Sequence, residues 1–111
     1  MTKLRVLDLF SGIGGLDLGL ERAGITTVGQ VEIDPWCRKV LAKHWPEVPR
    51  HDDVRTCAEW WGGRAAPDVV CGGFPCQDIS VAGKQAGIAE GTRSGLYHQL
   101  MRVVRVVRPR Y

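Results

Sequence analysis

The length, composition and charge of the chain exclude several classes of protein before any motif is considered. It has 111 residues, of which 44% are hydrophobic and 24% charged, so it is one domain or part of one and not wholly disordered. No run of 18 apolar residues and no signal peptide occurs, so we expect no membrane span and a cytoplasmic location. The net charge is +3, and residues 91–111 hold five arginines and no acid. Two interpretations of that end stay open: a surface that faces an anion, or a solvated helix face.

The four cysteines give no sign of a metal site. Cys37, Cys57, Cys71 and Cys76 include no C-x-x-C pair, which disfavours a zinc ribbon and a dithiol redox site. Without a signal peptide the thiols are expected to be reduced. Each cysteine is therefore a small buried hydrophobe or a nucleophile, and its surroundings decide which.

In the first half of the chain, apolar runs and glycine turns alternate. A β-prone run over 4–10 stops at the glycine turn 11–15, and a short helix follows, which Gly24 ends. A second strand is predicted over 26–33. The Asp34-Pro35 pair then opens another helix, with the acid as its N-cap and the proline in its first position.

The second half continues this alternation up to a long polar loop. A third strand is predicted over 51–54, and a glycine-containing connection over 60–67 begins with two tryptophans that cap the core. A fourth strand covers 68–71. Residues 77–95 are glycine-rich and without periodicity, which is typical of a functional loop. An amphipathic helix is predicted over 96–107, with leucines and valines on one face.

This order of elements predicts an α/β fold, an open and mostly parallel sheet with helices. In such sheets a ligand lies beyond the carboxyl ends of the strands, at the switch point of the topology. The unusual residues of this chain stand at those ends: Gly12–Gly15, Glu32, Asp53 and Gly72–Cys76. The sequence therefore predicts a binding site at that edge.

The first loop, Phe10 to Gly15, suits a ligand without phosphates. Its glycines permit positive φ and a close approach of the backbone to a ligand. The dinucleotide pattern G-x-G-x-x-G fails, because the third glycine position is Asp17, and a carboxylate there disfavours a pyrophosphate. A small nucleoside ligand and a merely structural tight turn both remain open.

Two acids follow the second and third predicted strands. Glu32 is placed to accept hydrogen bonds from ribose hydroxyls, and Asp53 from the exocyclic amine of adenine. Either acid alone is better explained as a surface residue or a helix cap. Together with the glycine loop they describe a pocket for an adenosine without phosphates, and S-adenosylmethionine is a common cofactor of that kind.

A glycine-aromatic-proline turn places Cys76 just beyond the fourth strand. Pro75 fixes its own φ and removes a donor, which holds the next thiol in a defined position. A thiolate there would be a nucleophile, although a buried cysteine in a turn is the alternative.

These motifs resemble the DNA (cytosine-5) methyltransferase family. Asp8-Leu9-Phe10-Ser11-Gly12-Ile13-Gly14-Gly15 is similar to the cofactor loop of that family, and Gly72-Gly73-Phe74-Pro75-Cys76-Gln77 to its Pro-Cys nucleophile motif. Val31-Glu32-Ile33-Asp34 and Asp52-Asp53-Val54 resemble its two acidic cofactor positions. The resemblance covers the whole chain.

The resemblance implies a function and a set of site residues. Cys76 would add to C6 of a cytosine flipped out of double-stranded DNA, and C5 would take a methyl group from S-adenosylmethionine. The cofactor residues implied by similarity are Phe10, Ser11, Gly12, Ile13, Gly15, Glu32, Ile33, Asp53, Val54, Gly73, Pro75 and Leu96. The residues implied to approach DNA are Gln77, Ser80 and Lys84, on a loop that closes over it.

The chain departs from the family pattern in one respect. It holds no Glu-Asn-Val motif, whose Glu assists attack on cytosine in the family, and no target-recognition region. We therefore expect residues 1–111 to be the N-terminal portion of a catalytic domain, a fragment or half of a split enzyme, with the fourth strand left as a bare edge. Alone it would bind the cofactor weakly and not methylate DNA; a second chain could carry the missing motifs.

Two other functions remain as alternatives. One is a non-catalytic S-adenosylmethionine-binding remnant or regulatory module that keeps the fold. The other is a nucleotide-dependent oxidoreductase, which the missing third glycine and the lack of a dithiol disfavour.

Overall fold

The computed structural model describes residues 3–73 and 95–111, which form a four-stranded sheet and four helices. The strands are β1 (Arg5–Leu9), β2 (Thr26–Val31), β3 (Arg50–His51) and β4 (Val69–Gly72). The helices are α1 (Gly15–Arg22), α2 (Pro35–His44), α3 (Cys57–Trp61) and α4 (Leu96–Val107), with a 3₁₀ turn at Val54–Thr56. In the part of the chain so described, no helix is long and apolar enough to cross a membrane.

All strand pairs are parallel, and the sheet order is β3-β2-β1-β4. The order reverses direction at β1, so the switch point lies between β1 and its neighbour β4. The predicted α/β fold, with its open parallel sheet, is confirmed.

The side chain of Asp34 explains where α2 begins. Asp34 Oδ1 accepts hydrogen bonds from the amides of Trp36 (2.8 Å) and Cys37 (3.4 Å), and Pro35 is the first residue of α2, as predicted.

β1 is one residue shorter at each end than the predicted run, and two further strands are shorter for reasons that the structure shows. β2 ends at Val31 instead of residue 33, because the Glu32 carboxylate accepts the amide of Asp34 and turns the chain toward α2. β3 is confined to Arg50–His51, and Val54 belongs to a 3₁₀ turn, because Asp53 caps that turn through the amide of Arg55.

The two faces of the sheet carry different cores. Leu7 and Leu9 pack with Trp61 of α3 and with Val103 and Val107 of α4 in one apolar cluster. Because neighbouring strand residues point to opposite faces, Asp8 points the other way, toward the face on which α1 lies. The expected role of the tryptophan pair holds, since Trp61 is buried within the cluster and Trp60 packs against it.

The outer edge of β4, expected to be bare, is paired with the end of the described chain at its first residues. The Val70 amide donates to the carbonyl of Tyr111 (3.0 Å), and the Tyr111 amide donates to the carbonyl of Asp68 (2.9 Å). These two bonds are those of a parallel bridge between Tyr111 and Val69. The chain after α4 therefore runs alongside β4 and pairs with it.

We expect Gly29→Ala to destabilise the fold. A Cβ at Gly29 would lie 2.7 Å from the Trp61 ring and 2.8 Å from Leu7, both in the core. Overpacking of this kind costs about 1–3 kcal/mol in the free energy of unfolding, which denaturant titration measures. The control is Gly19→Ala in α1, where nothing lies within 4 Å; it should stabilise by about 0.5–1 kcal/mol. Equal effects of the two changes would contradict the packing.

Candidate functional site

The chain leaves β1 through a sharply turned loop at the carboxyl edge of the sheet. Phe10 (φ 59°), Gly12 (φ 59°) and Gly14 (φ 91°) all have left-handed backbone. Ser11 fixes the turn, since its amide donates to the carbonyl of Val31 (3.0 Å) and its hydroxyl to that of Asp8 (3.0 Å). A left-handed aromatic residue costs free energy and is found mostly where function requires it.

Gly12 and Gly14 serve different purposes in this loop. A Cβ on Gly12 would meet nothing within 4 Å, so this part of the loop is open to a ligand. A Cβ on Gly14 would clash with the Trp45 ring, so only glycine allows the loop to pack against the end of α2. The loop thus packs against Trp45 at Gly14 and faces open space at Gly12.

Glu32 ties the glycine loop to the end of β2. Its Oε1 accepts the amide of Gly12 (2.7 Å), and its Oε2 accepts the amide of Asp34 (2.9 Å). Its own amide donates to the carbonyl of His51 at the end of β3 (2.9 Å). Each carboxylate oxygen keeps a further lone pair, which is what two ribose hydroxyls would need.

Asp53 lies beyond the adjacent strand and is held by Arg55, a residue that sequence reasoning missed. The Arg55 amide (2.8 Å) and Nε (3.0 Å) donate to Oδ1 of Asp53, and Nη2 donates to Oδ2 (2.8 Å). The hydrogen bonds from Arg55 hold the pKa of Asp53 below its ordinary value. Asp53 therefore caps the 3₁₀ turn and is also a charged hydrogen-bond acceptor in a fixed position. The Asp-x-Arg spacing is the sequence signal that could have indicated Arg55.

The remaining sequence-predicted residues fall into three groups. Ile13 (56% exposed) and Ile33 (66% exposed) offer apolar surface at the same edge as Glu32, and Gly15 begins α1. Val54, by contrast, is buried in the core, and Phe10 packs against that cluster. Pro75, Cys76, Gln77, Ser80 and Lys84 lie outside the described residues, and of Leu96 only its place at the start of α4 is described.

Asp17 does not act as the sequence suggested. Its side chain is fully buried and accepts a hydrogen bond from Gln30, so it faces the interior of the sheet and not a ligand in the loop. The argument that the Asp17 charge would repel a phosphate in the loop therefore does not hold.

β4 delivers the chain to the same edge as the glycine loop. Gly72 is the register partner of Leu9, and a Cβ there would lie 3.4 Å from Phe10 and from Leu100. Gly73, the next residue, is exposed. The motif that contains Cys76 thus starts beside the loop that follows β1.

The three described cysteines are held as neutral thiols. Burial raises the pKa of Cys57 to about 11, and burial together with Asp8 raises that of Cys71 further. Burial and the charges of Asp34 and Glu32 raise the pKa of Cys37. Within residues 3–73 and 95–111 no cysteine is activated as a nucleophile, and no cluster of three potential ligands could hold a metal ion.

A family model described as C-5 cytosine-specific DNA methylase matches residues 4–111. The chain belongs to this family. The match includes the glycine loop, both acidic positions and the Pro-Cys motif, so the resemblance inferred from those residues is confirmed.

Curated relatives are bacterial type II methyltransferases. M2.BsuMI of Bacillus subtilis is 44% identical over 101 residues, M.HhaI of Haemophilus parahaemolyticus 36% over 112, and M.AquIA of Picosynechococcus 35% over 113. These alignments cover 91%, 99% and 96% of this chain, but 25%, 32% and 45% of the relatives. The chain therefore spans less than half the length of each.

Solved structures share the fold. A DNA modification methyltransferase encoded within an Escherichia coli prophage matches with a TM-score of 0.74 and 31% identity, over 96% of this chain and 30% of that one. A mutant of DNMT2 from Spodoptera frugiperda matches with a TM-score of 0.63 and 20% identity, over 95% of this chain and 32% of that one.

We expect Glu32→Ala to free the amide of Gly12. The bond joins an amide to a charged carboxylate, and losing it should speed hydrogen exchange at Gly12 about tenfold to a hundredfold. Exchange of individual amides, followed by NMR, measures this. Glu32→Gln keeps an acceptor and should give a smaller change, and Glu47→Ala, at an exposed acid, should give none. Unchanged exchange at Gly12 in Glu32→Ala would show that the loop is held by other means.

Proposed function

We propose that this chain carries the cofactor site and the nucleophile of a DNA (cytosine-5) methyltransferase that uses S-adenosylmethionine. The observation that carries the proposal is the hydrogen bond between Glu32 and Gly12. It joins a glycine loop that is open in front to an acid at the end of the next strand. This arrangement suits a nucleoside that lies across β1 and β2.

The residues at the edge fit an adenosine. Glu32 would accept from the ribose hydroxyls with its free lone pairs, while the exposed side chain of Ile33 offers an apolar face for the base. Asp53, kept ionised by Arg55, would accept from the exocyclic amine. Because Val54 is buried, its contribution would come from its backbone. Bound S-adenosylmethionine would supply the electrophilic methyl group.

Cys76 is the proposed nucleophile. Its thiolate would add to C6 of the cytosine, and the electron pair displaced to C5 would take the methyl group. Loss of the C5 proton would then expel the thiolate and restore the aromatic ring. The raised pKa values of Cys37, Cys57 and Cys71 disfavour their thiolate forms. This supports Cys76 as the nucleophile among the four cysteines.

The substrate is proposed to be a cytosine flipped out of double-stranded DNA. The ring carbons of a stacked base cannot be reached by a thiol, so extrusion is required. Gln77, Ser80 and Lys84, which follow the nucleophile, are the proposed DNA contacts. Gly73, Pro75 and Leu96 would close the methionine end of the cofactor site.

We further propose that turnover needs residues beyond these 111. In the family a Glu-Asn-Val motif assists attack on cytosine, and this sequence has none. Such residues would come from the same polypeptide or from a second chain, and the 111 residues would then be the N-terminal portion of the catalytic domain. The alternative is a non-catalytic module that binds the cofactor only.

Tritium transfer from labelled S-adenosylmethionine to DNA tests this function. We expect no transfer by the 111 residues alone, and transfer when they are supplied with the later part of a relative that holds Glu-Asn-Val. Cys76→Ser should abolish the restored activity, and Cys37→Ser, at a thiol outside the site, should preserve it. Cofactor binding without transfer under every condition would favour the non-catalytic module. Activity that survives Cys76→Ser would overturn the role of that thiol.

A covalent trap tests the adduct separately. In DNA with 5-fluorocytosine at the target, C5 bears no proton to lose, so the thiolate cannot leave after methylation. We expect a protein–DNA complex that survives denaturation in the complemented protein and is absent from Cys76→Ser. A complex formed equally by the serine variant would contradict a Cys76 adduct.

A further inference from the structure

A row of polar side chains crosses the whole sheet beneath the glycine loop. Arg50 of β3, Gln30 of β2, Asp8 of β1 and Cys71 of β4 are successive register partners. Partners in register point to the same face, so these four side chains form one line. Gln30 and Asp8 are almost completely buried, at 0% and 1% exposure. A polar row in this position calls for a partner at every buried atom.

Asp17 lies over this row from α1. It is also 0% exposed, and its Oδ2 accepts a hydrogen bond from Gln30 Nε2 (2.5 Å). Gln30 Oε1 in turn accepts from Arg50 Nη1 (3.1 Å), and Cys71 Sγ donates to Asp8 Oδ1 (3.3 Å). These three hydrogen bonds connect the neighbouring side chains of the row and Asp17. No hydrogen bond joins the carboxyl group of Asp8 to that of Asp17.

The two carboxyl groups each keep one oxygen without a donor. Among the described residues, Asp8 Oδ2 and Asp17 Oδ1 are buried and accept no hydrogen bond. Two ionised carboxylates that face each other in the interior would be strongly unfavourable, whereas one proton between them supplies the missing donor. The remaining single charge is linked to the guanidinium of Arg50 through Gln30.

The titration of Asp8 agrees with this geometry. Burial, and after it the proximity and charge of the Asp17 carboxyl group, raise the pKa of Asp8 from 3.8 to about 8. Hydrogen bonds from Cys71 and Ser11 act in the opposite direction and are weaker. The direction of this pKa shift favours the protonated form of Asp8, as the geometry of the two carboxyl groups does.

We propose that Asp8 and Asp17 share one proton, and that Asp17, held by it, is a positioning residue for the glycine loop. The two acids flank that loop in sequence, Asp8 in β1 and Asp17 in the first turn of α1. The shared proton joins the strand before the loop to the helix after it. The statement that this loop receives a cofactor rests on the proposed function; the shared proton does not.

Two substitutions at Asp17 separate the proton from the packing. Asp17→Asn provides an amide that donates to Asp8 and a carbonyl that accepts from Gln30, so the link is kept without a shared proton. Asp17→Leu has the same branched arrangement of four side-chain heavy atoms and makes neither bond. Asp8 remains in both variants.

NMR titration of ¹³C-labelled aspartate carboxyl carbons tests the proton. In the wild type, the carboxyl carbon of Asp8 should titrate with a midpoint well above the ordinary 3.8. In Asp17→Asn, the midpoint of Asp8 should fall, because a carboxylate that opposed its ionisation is gone. An Asp8 carboxyl that is already ionised at pH 6, or that titrates at its ordinary value, would overturn the shared proton.

Amide hydrogen exchange at a single pH tests the positioning role. The measured quantity is the exchange rate at Gly12 and Gly14 divided by that at Val103 in α4, which cancels changes in global stability. We expect this ratio to rise about tenfold in Asp17→Leu, as for one lost buried hydrogen bond, and to stay near the wild-type value in Asp17→Asn. An unchanged ratio in the leucine variant, or equal rises in both variants, would overturn the role of Asp17.

The pH dependence of stability gives a third test. In the unfolded chain, Asp8 loses its proton near pH 4. In the folded chain, Asp8 keeps this proton up to about pH 8. The free energy of unfolding should therefore fall as the pH rises through this range, relative to Asp17→Asn, and become constant above it. A wild-type curve parallel to that of the asparagine variant would contradict the proposal.

Binding of S-adenosylhomocysteine to the protein supplied with the later part of a relative, as in the tritium test, is measured by calorimetry and connects the proton to the ligand. Affinity should weaken above pH 8 in the wild type and change less in Asp17→Asn. If no variant binds at any pH while titration and exchange behave as expected, the proposed cofactor fails and the shared proton stands. If binding is normal and independent of pH in all variants, the positioning role fails.

Discussion

β1 is central in a parallel sheet and buried on both faces, and this constraint shapes everything that follows it. A parallel neighbour requires the chain to leave the sheet, form a helix and return, so the exit must be short and sharply turned. The left-handed Phe10 and the two glycines after it make that exit. Glu32 then fixes the exit from the next strand, and the candidate site results from how these strands end.

The sequence predicts those parts of the fold that depend on local pattern. The bounds of α4 match the periodicity of its valines, and the cap at Asp34 matches a rule about side chains and amides. The glycine loop and the acid at position 32 lie at the predicted edge, because parallel strands place their carboxyl ends together.

What the sequence did not predict depends on contacts between distant residues. Val54 looks like a strand residue until its neighbours show that it closes the core, and Asp17 looks like a charge facing a ligand until Gln30 lies against it. Likewise, the pairing of Tyr111 with β4 follows from where α4 ends in space and not from any local pattern. Tertiary packing determines the positions of these residues, and rules based on sequence spacing do not describe it.

The 3₁₀ turn at Val54–Thr56 has a consequence for how variants of this protein would be interpreted. Its first residue is buried in the cluster that contains Val103 and Val107 of α4, and the acid just before it, Asp53, stands at the binding edge. A cavity made at Val103 would loosen the packing of Val54 in this cluster, and Asp53 is the next residue along the chain. In a genetic screen, such a core substitution could therefore be scored as a defect at the candidate site, although Val103 itself belongs to the core.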